Sequence, residues 1–207
     1  PGPTNLGLFV EDKQAILIDS GNDETAGRKI FRLLEEKGWQ LSRIINTHSN
    51  ADHIGGNAYL QKKTGCDILA TAIESVFINE PSLEPLLLWG AYPFKTLRNK
   101  FLEAQPSRVT HIIESEGIIK GTPLRAFPLE GHFLEMIGVE TPDRVLFIAD
   151  SLFSPEIINK YGLNILGPNC LGFINNFNHF NASFSHRTNI NSRVALISQS
   201  GAIGSSI

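Results

Sequence analysis

The sequence predicts an α/β fold, and three observations carry that reading. Short apolar segments alternate with a helical stripe in the order strand, helix, strand. The richest polar cluster follows directly on an apolar run, where strands end and loops carry chemistry. Glycines stand where a helix and a loop have to stop, at Gly38 and at Gly55 and Gly56.

Taken in order, residues 6–10 and 14–18 are apolar and are separated by Glu11, Asp12 and Lys13, which predicts a hairpin. Asp19, Ser20 and Gly21 follow as a turn. Ala26, Ile30, Leu33 and Leu34 form one stripe of a helix over 25–37, closed by Gly38. A strand over 43–47 leads into a polar loop, then a short helix over 57–64 and a strand over 67–70. Residues 73–104 are helical in composition but carry Pro81, Pro85 and Pro93, so two or three short helices are expected. Trp89, Tyr92 and Phe94 in this stretch could wall a pocket, although filling the core or a helix interface is the simpler expectation. Strands are predicted over 111–114, 123–128, 136–140 and 144–149, the last running straight into Asp150.

A chain of 207 residues holds one large domain, or a domain and a half, and buries a sizeable core. With 42% hydrophobic and 19% charged residues it reads as an ordinary globular protein. Its net charge of −3 excludes a general attraction to nucleic acid. Cys66 and Cys170 form no disulfide or zinc spacing, and no apolar run approaches the roughly 18 residues of a membrane span. A cytoplasmic protein acting on a small molecule, without nucleic-acid or membrane partners, is therefore expected. Every Asp and Glu lies in residues 1–161; residues 162–207 carry only Arg187 and Arg193, with eight asparagines. That shift predicts a domain boundary near Tyr161, giving units 1–161 and 162–207.

Residues 47–56 concentrate ligand chemistry: His48, Asn50, Asp52 and His53 fall within six residues, and Gly55 and Gly56 end the loop. Downstream, His132 follows Gly131, and Asp150 ends an apolar run. Imidazole suits zinc and iron and a carboxylate can bridge two cations, so these residues could form a one- or two-metal site that activates water.

With the Asp19-Ser20-Gly21 turn, the loop His48-x-Asn50-x-Asp52-His53, Gly131-His132 and Asp150, the chain over about residues 1–161 resembles the metallo-β-lactamase-fold hydrolases. That superfamily includes glyoxalase II and lactonases. The resemblance implies an αββα sandwich, incomplete here at its C-terminal part. It implies one or two zinc ions, with iron as an alternative, and water attacking an ester, thioester or lactam carbonyl. His48 and His132 would belong to one metal position, Asp52 and His53 to the other, with Asp150 bridging. Asp52 would also orient the attacking water or accept its proton. The family's loop reads H-x-H-x-D-H, so Asn50 replaces a histidine with a weaker, neutral ligand. The late histidine that family members supply has no counterpart, and Phe133, Leu134 and Glu135 make the loop after His132 bulky. These departures favour, as the alternative, a non-catalytic domain of the same fold. Asp19 is expected either to cap its own turn or to support a ligand, the first being simpler.

Residues 165–175 and 194–204 are similar to segments of the NDP-forming acyl-CoA synthetases, relatives of the succinyl-CoA synthetase α subunit. Residues 194–197 read as a buried parallel strand and Ser198, Ser200 and Gly201 as a phosphate-holding turn into a helix N-terminus. A partial flavodoxin-like βαβ unit is expected there. The segment lacks most of that family's machinery, so no ligase activity is expected from it alone. The chain then reads as a composite, joined near Lys160, Tyr161 and Gly162 by natural fusion or artificially.

Overall fold

A computed structural model describes residues 4–95, 98–129 and 131–151, together with the backbone at 172–175 and 180–183. The chain divides into two units, Pro1–Leu152 and Phe153–Ile207.

The first unit opens with the expected hairpin, β1 (Gly7–Glu11) antiparallel to β2 (Gln14–Ile18). Its two-residue link, Asp12 and Lys13, has φ of 46° and 64°, the left-handed pair whose twist matches that of the strands. Helix α1 (Glu24–Lys37) begins where Asp23 accepts from the Ala26 N–H at 3.1 Å. It ends at Gly38, φ 65°, whose N–H reaches Glu35 O while Trp39 N reaches Leu34 O. These two bonds close the carbonyls of the last turn in the manner that makes a left-handed glycine favourable.

Strand β3 (Gln40–Ile45) runs parallel to β2 and begins earlier than the sequence suggests, because Gln40 pairs with Gln14. Then come α2 (Ala51–Ile54), α3 (Asn57–Thr64), β4 (Asp67–Ala70), α4 (Ala72–Asn79), α5 (Leu83–Trp89) and β5 (His111–Ile112). The five strands form one sheet in the order β1-β2-β3-β4-β5, parallel from β2 onward. A second, antiparallel sheet follows in the order β6 (Gly117–Ile118), β7 (Arg125–Pro128), β8 (Ile137–Glu140), β9 (Leu146–Phe147).

The alternation within β2 sets the layers. Ile16 and Ile18 face the second sheet and pack with Ile45, Leu69, Leu124, Ile137 and Val139. Ala15 and Leu17 face the other way, against Ile30 and Leu34 of α1 and Leu60 of α3. Each fully buried Leu or Ile contributes roughly 1.5–3 kcal/mol relative to exposure. Helices, first sheet and second sheet are thus three layers of the sandwich; among the described residues no α-helix follows β6.

Two expectations are corrected here. The predicted strand over 144–149 shrinks to Leu146–Phe147, because Arg144 (φ 68°) closes a turn on Thr141 O and Ala149 (φ 45°) leaves the sheet. Asp150 therefore lies in a 3-10 turn, Ala149–Ser151, rather than at a strand end. Tyr92 and Phe94 are 60% and 70% exposed, so they do not fill the core.

In the second unit, β10 (Gly172–Asn175) pairs antiparallel with β11 (Phe180–Ser183). This hairpin was not anticipated from the sequence, which expects a buried parallel strand at 194–197. That strand, the flavodoxin-like unit it would build, and Ser198, Ser200 and Gly201 lie outside the described residues.

Candidate metal centre

The C-terminal ends of β2 and β3 lie side by side, so Asp19 and the loop from Thr47 meet at one sheet edge. Asp19 N donates to Ile45 O at 3.0 Å, Ser20 N to His53 O at 2.7 Å and Ile137 N to Thr47 O at 2.9 Å. The last bond ties the second sheet to the loop. Helix α2 is anchored by Ala51 and Ile54, which are buried with Ala70 and Ile78.

Gly55 and Gly56 let α2 sit this close. A Cβ on Gly55 would come within 2.2 Å of the Asn22 backbone, and one on Gly56 within 2.4 Å of Ser20 O. The sequence showed these glycines as a loop ending; the close approach of the β2–α1 turn is what requires them.

His48 is fully buried, with Nδ1 3.0 Å from Thr47 Oγ1. His53 is 2% exposed and its Nδ1 lies 2.8 Å from Asp19 Oδ2. The two rings are 4.1 Å apart, and the Nε2 atoms of both are buried without a hydrogen-bond partner. Asp150 joins them from its 3-10 turn: its Oδ1 stands 3.3 Å from His53 Nε2, without hydrogen-bond alignment. Ligand atoms of His48, His53 and Asp150 all fall within 4.8 Å of one another.

The remaining sequence-derived candidates arrive at the same place. His132 Nε2 donates to Asn50 Oδ1 at 3.1 Å and lies 3.5 Å from Asp150 Oδ2. Asp52 Oδ2 lies 3.9 Å from His53 Nε2 and accepts from Thr4 Oγ1 at 3.1 Å. Phe133 packs on His48 at 6.2 Å and edge-on to Phe77 at 5.5 Å, forming one wall.

Electrostatics follow from burial and neighbours. Burial, then the charge of His53, lowers His48 to about 3, so it is a neutral imidazole. Burial opposes a charge on His53, but Asp19, and then Asp150, outweigh it and raise the imidazole to about 10. Asp150 is lowered to about 2, first by His53 beside it and against the effect of burial. Asp19 is also lowered: burial raises it, and His53 more than offsets that. His53 would give up the proton that charges it on holding a dication, as any imidazole ligand does.

The residues fit such an ion on their own chemistry. Two buried imidazole nitrogens without partners converge with carboxylate oxygens, and each imidazole is held at its other nitrogen. That is the donor set and support that zinc takes, and iron also accepts it.

Sequence reasoning favoured Asp19 as the cap of its own turn. Instead Oδ1 accepts from Thr47 N at 2.8 Å, and Oδ2 from Thr47 Oγ1 at 2.7 Å and from His53. Two residues were missed. Glu74 of α4 accepts from Ser49 N at 2.9 Å, Ser49 Oγ at 2.6 Å and Glu135 N at 2.8 Å. Glu84 of α5 accepts from Asn50 Nδ2 at 2.7 Å and Ala51 N at 3.1 Å. Burial raises both carboxyls, Glu84 to about 8. Neither sits in a local pattern; the only signal was an acid on an otherwise apolar helix.

Comparison with known proteins bears on the family and the fold. The family described as the metallo-beta-lactamase superfamily matches residues 1–185, running past Tyr161. A hydroxyacylglutathione hydrolase of Bradyrhizobium sp. (strain BTAi1) is 31% identical over 153 residues, covering 72% of this chain and 49% of that protein. Another, of Rhodopseudomonas palustris (strain BisB5), is 28% identical over 153 residues, with the same shares covered. The chain thus spans about half the length of the curated relatives it matches. Among solved structures, the BLEG-1 B3 metallo-beta-lactamase superposes with a TM-score of 0.59 at 22% identity, over 74% of this chain and 70% of that one. BJP-1, a subclass B3 metallo-beta-lactamase of Bradyrhizobium japonicum, gives a TM-score of 0.51 at 21% identity, over 65% and 49%. At these identities the likeness is one of fold.

Proposed function

We propose that this chain, which belongs to the metallo-beta-lactamase superfamily, is a metal-dependent hydrolase of a small acyl thioester. The observation that carries the reading is the cluster of His48, His53 and Asp150, whose ligand atoms lie within 4.8 Å of one another, with both imidazole Nε2 atoms buried and partnerless. The thioester class is favoured over an ester or lactam because the curated relatives named above are hydroxyacylglutathione hydrolases, whereas the lactamases resemble the chain in fold.

His48, His53, His132 and Asp150, with Asp52 and Asn50, would hold one or two zinc ions, iron being the alternative. Such an ion supplies Lewis acidity, polarising a carbonyl and acidifying water. Asp52, partly exposed and steadied by Thr4, would accept a proton from the attacking water. Asp19 fixes the direction of His53, and the Phe133 ring lies beside His48.

The test is metal analysis of protein purified without chelator, followed by thioester turnover. Stoichiometric zinc or iron, lost in Asp150→Asn together with turnover, supports the reading. Metal-free protein with unchanged melting on adding zinc overturns it.

Asn50, in place of a histidine, favours a second reading: a member that binds metal and does not turn over substrate. Zinc at stoichiometry with no thioester, ester or lactam hydrolysis would select it. For residues 162–207 the synthetase-like turn at Ser198, Ser200 and Gly201 is a proposal of phosphate binding. It is tested by whether nucleotide, CoA or phosphate shifts the melting temperature, and an absent shift removes it.

A further inference from the structure

We infer that Glu84 is a positioning residue that turns Asn50 into an oxygen ligand of the centre; the inference rests on the reading of that centre as a metal site. An amide has one face that can approach a cation and one that cannot, so an asparagine serves only if its orientation is fixed. Glu84, 4% exposed and 34 positions along the chain, fixes it. Its Oε1 accepts from Asn50 Nδ2 at 2.7 Å, which leaves Oδ1 directed inward, 3.1 Å from His132 Nε2.

The start of α2 supports this. Asn50 is the N-cap residue of α2, and an asparagine there ordinarily spends its side-chain oxygen on the helix's own N–H groups. Here it makes no such bond. Glu84 Oε2 accepts from Ala51 N at 3.1 Å instead, so one carboxyl group both caps the helix and holds the amide nitrogen. The oxygen of Asn50 is thereby released to face His132. Two-point attachment also stops the carboxyl group from rotating about its own axis. Position 50 thus presents a neutral oxygen, with the buried acid behind it keeping that oxygen inward.

The test is the zinc affinity of the full chain, measured by competition with a chromophoric chelator, for wild type, Glu84→Ala, Asn50→Ala and the double variant. Glu84→Ala is expected to weaken zinc binding by about 10- to 100-fold, the usual effect of removing a group that orients a ligand. In the Asn50→Ala background the same change is expected to alter affinity by no more than about twofold, because Glu84 acts through Asn50. A larger loss there overturns the inference, since Glu84 would then be acting on the fold. Wild-type affinity in Glu84→Ala also overturns it, and leaves the metal centre standing. A wild-type chain that binds no zinc overturns the inference and the proposed function together. Melting of the metal-free variants separates misfolding from weak binding. If Glu84→Ala does not fold, Glu84→Gln carries the test in both backgrounds: it keeps one acceptor, and a partial loss that disappears with Asn50→Ala is the expected result.

Discussion

Asp19 Oδ2 lies 2.8 Å from His53 Nδ1, while Oδ1 of the same carboxylate accepts from Thr47 N at 2.8 Å. One buried acid at the end of β2 thus sets both the direction of a candidate ligand and the path of the loop that carries His48. Asp19 itself has φ of 58°, a left-handed conformation that aspartate tolerates better than most residues.

Replacing Asp19 therefore acts on stability and on metal binding together. Asp19→Ala leaves His53 and Thr47 without their buried partner and is expected to cost on the order of 3 kcal/mol, read by urea denaturation. Asp19→Asn keeps the shape and removes the charge that favours His53; about a 10- to 100-fold loss of zinc affinity is expected. Wild-type zinc affinity in Asp19→Asn would show that the carboxylate does not support the centre.

Glu74 joins the loop after His48 to the loop after His132 through Ser49 and Glu135. Glu74→Ala strands three donors in a buried place, so a loss of about 3 kcal/mol is expected, with weaker zinc binding as the two loops part. Equilibrium denaturation and chelator competition on the same preparation check both, and an unchanged midpoint would count against the bridging role.

Gly55 and Gly56 are required by contact. Gly55→Ala and Gly56→Ala press a methyl group into the backbone of Asn22 or Ser20, and a cost of about 1–3 kcal/mol is expected for each. Gly65→Ala is the control for space, since a Cβ there meets nothing within 4 Å, although φ of 70° still strains it. If Gly55→Ala and Gly56→Ala were no worse than Gly65→Ala, the close approach would not be limiting.

Asp23 gives a pH signature away from the centre. Its carboxyl is lowered, first by the hydrogen bond from Lys100 Nζ, against slight burial, and then by the Ala26 N–H. A lowered folded value means that the contribution is present above the unfolded value near 3.9 and is lost as pH falls through the folded one. Asp23→Ala is thus expected to cost about 1 kcal/mol at pH 7, with the difference from wild type shrinking toward pH 3. A difference that persists at pH 3 would show that the cap acts by shape alone.

Much of the fold is legible in the sequence because it rests on local periodicity. The apolar run over 15–18, the stripe through Ile30 and Leu34, and Gly38 after it specify a strand, a helix and its end, while the two faces of that strand were separated only by packing. Six candidates for metal binding were proposed from residue type: His48, Asn50, Asp52 and His53 by their spacing, His132 by following Gly131, and Asp150 by ending an apolar run. The short β9 was not legible, since left-handed Arg144 and Ala149 leave no compositional mark.

The sequence by itself supplied the residue types of a candidate ligand cluster and the apolar segments of the sheet that lead into its loop. Only the tertiary structure decided how those side chains are held. Asp19 reaches His53 across 34 positions, Glu84 reaches Asn50 across 34, and His132 reaches Asn50 across 82. The physical reason is that an orienting hydrogen bond needs two groups within about 3 Å, and that proximity comes from the packing of sheets and helices rather than from any period along the chain. Asn50 shows the division most plainly. Its sequence position marks it as a substituted ligand, and its orientation, oxygen inward and nitrogen on Glu84, exists only once α5 has packed against α2.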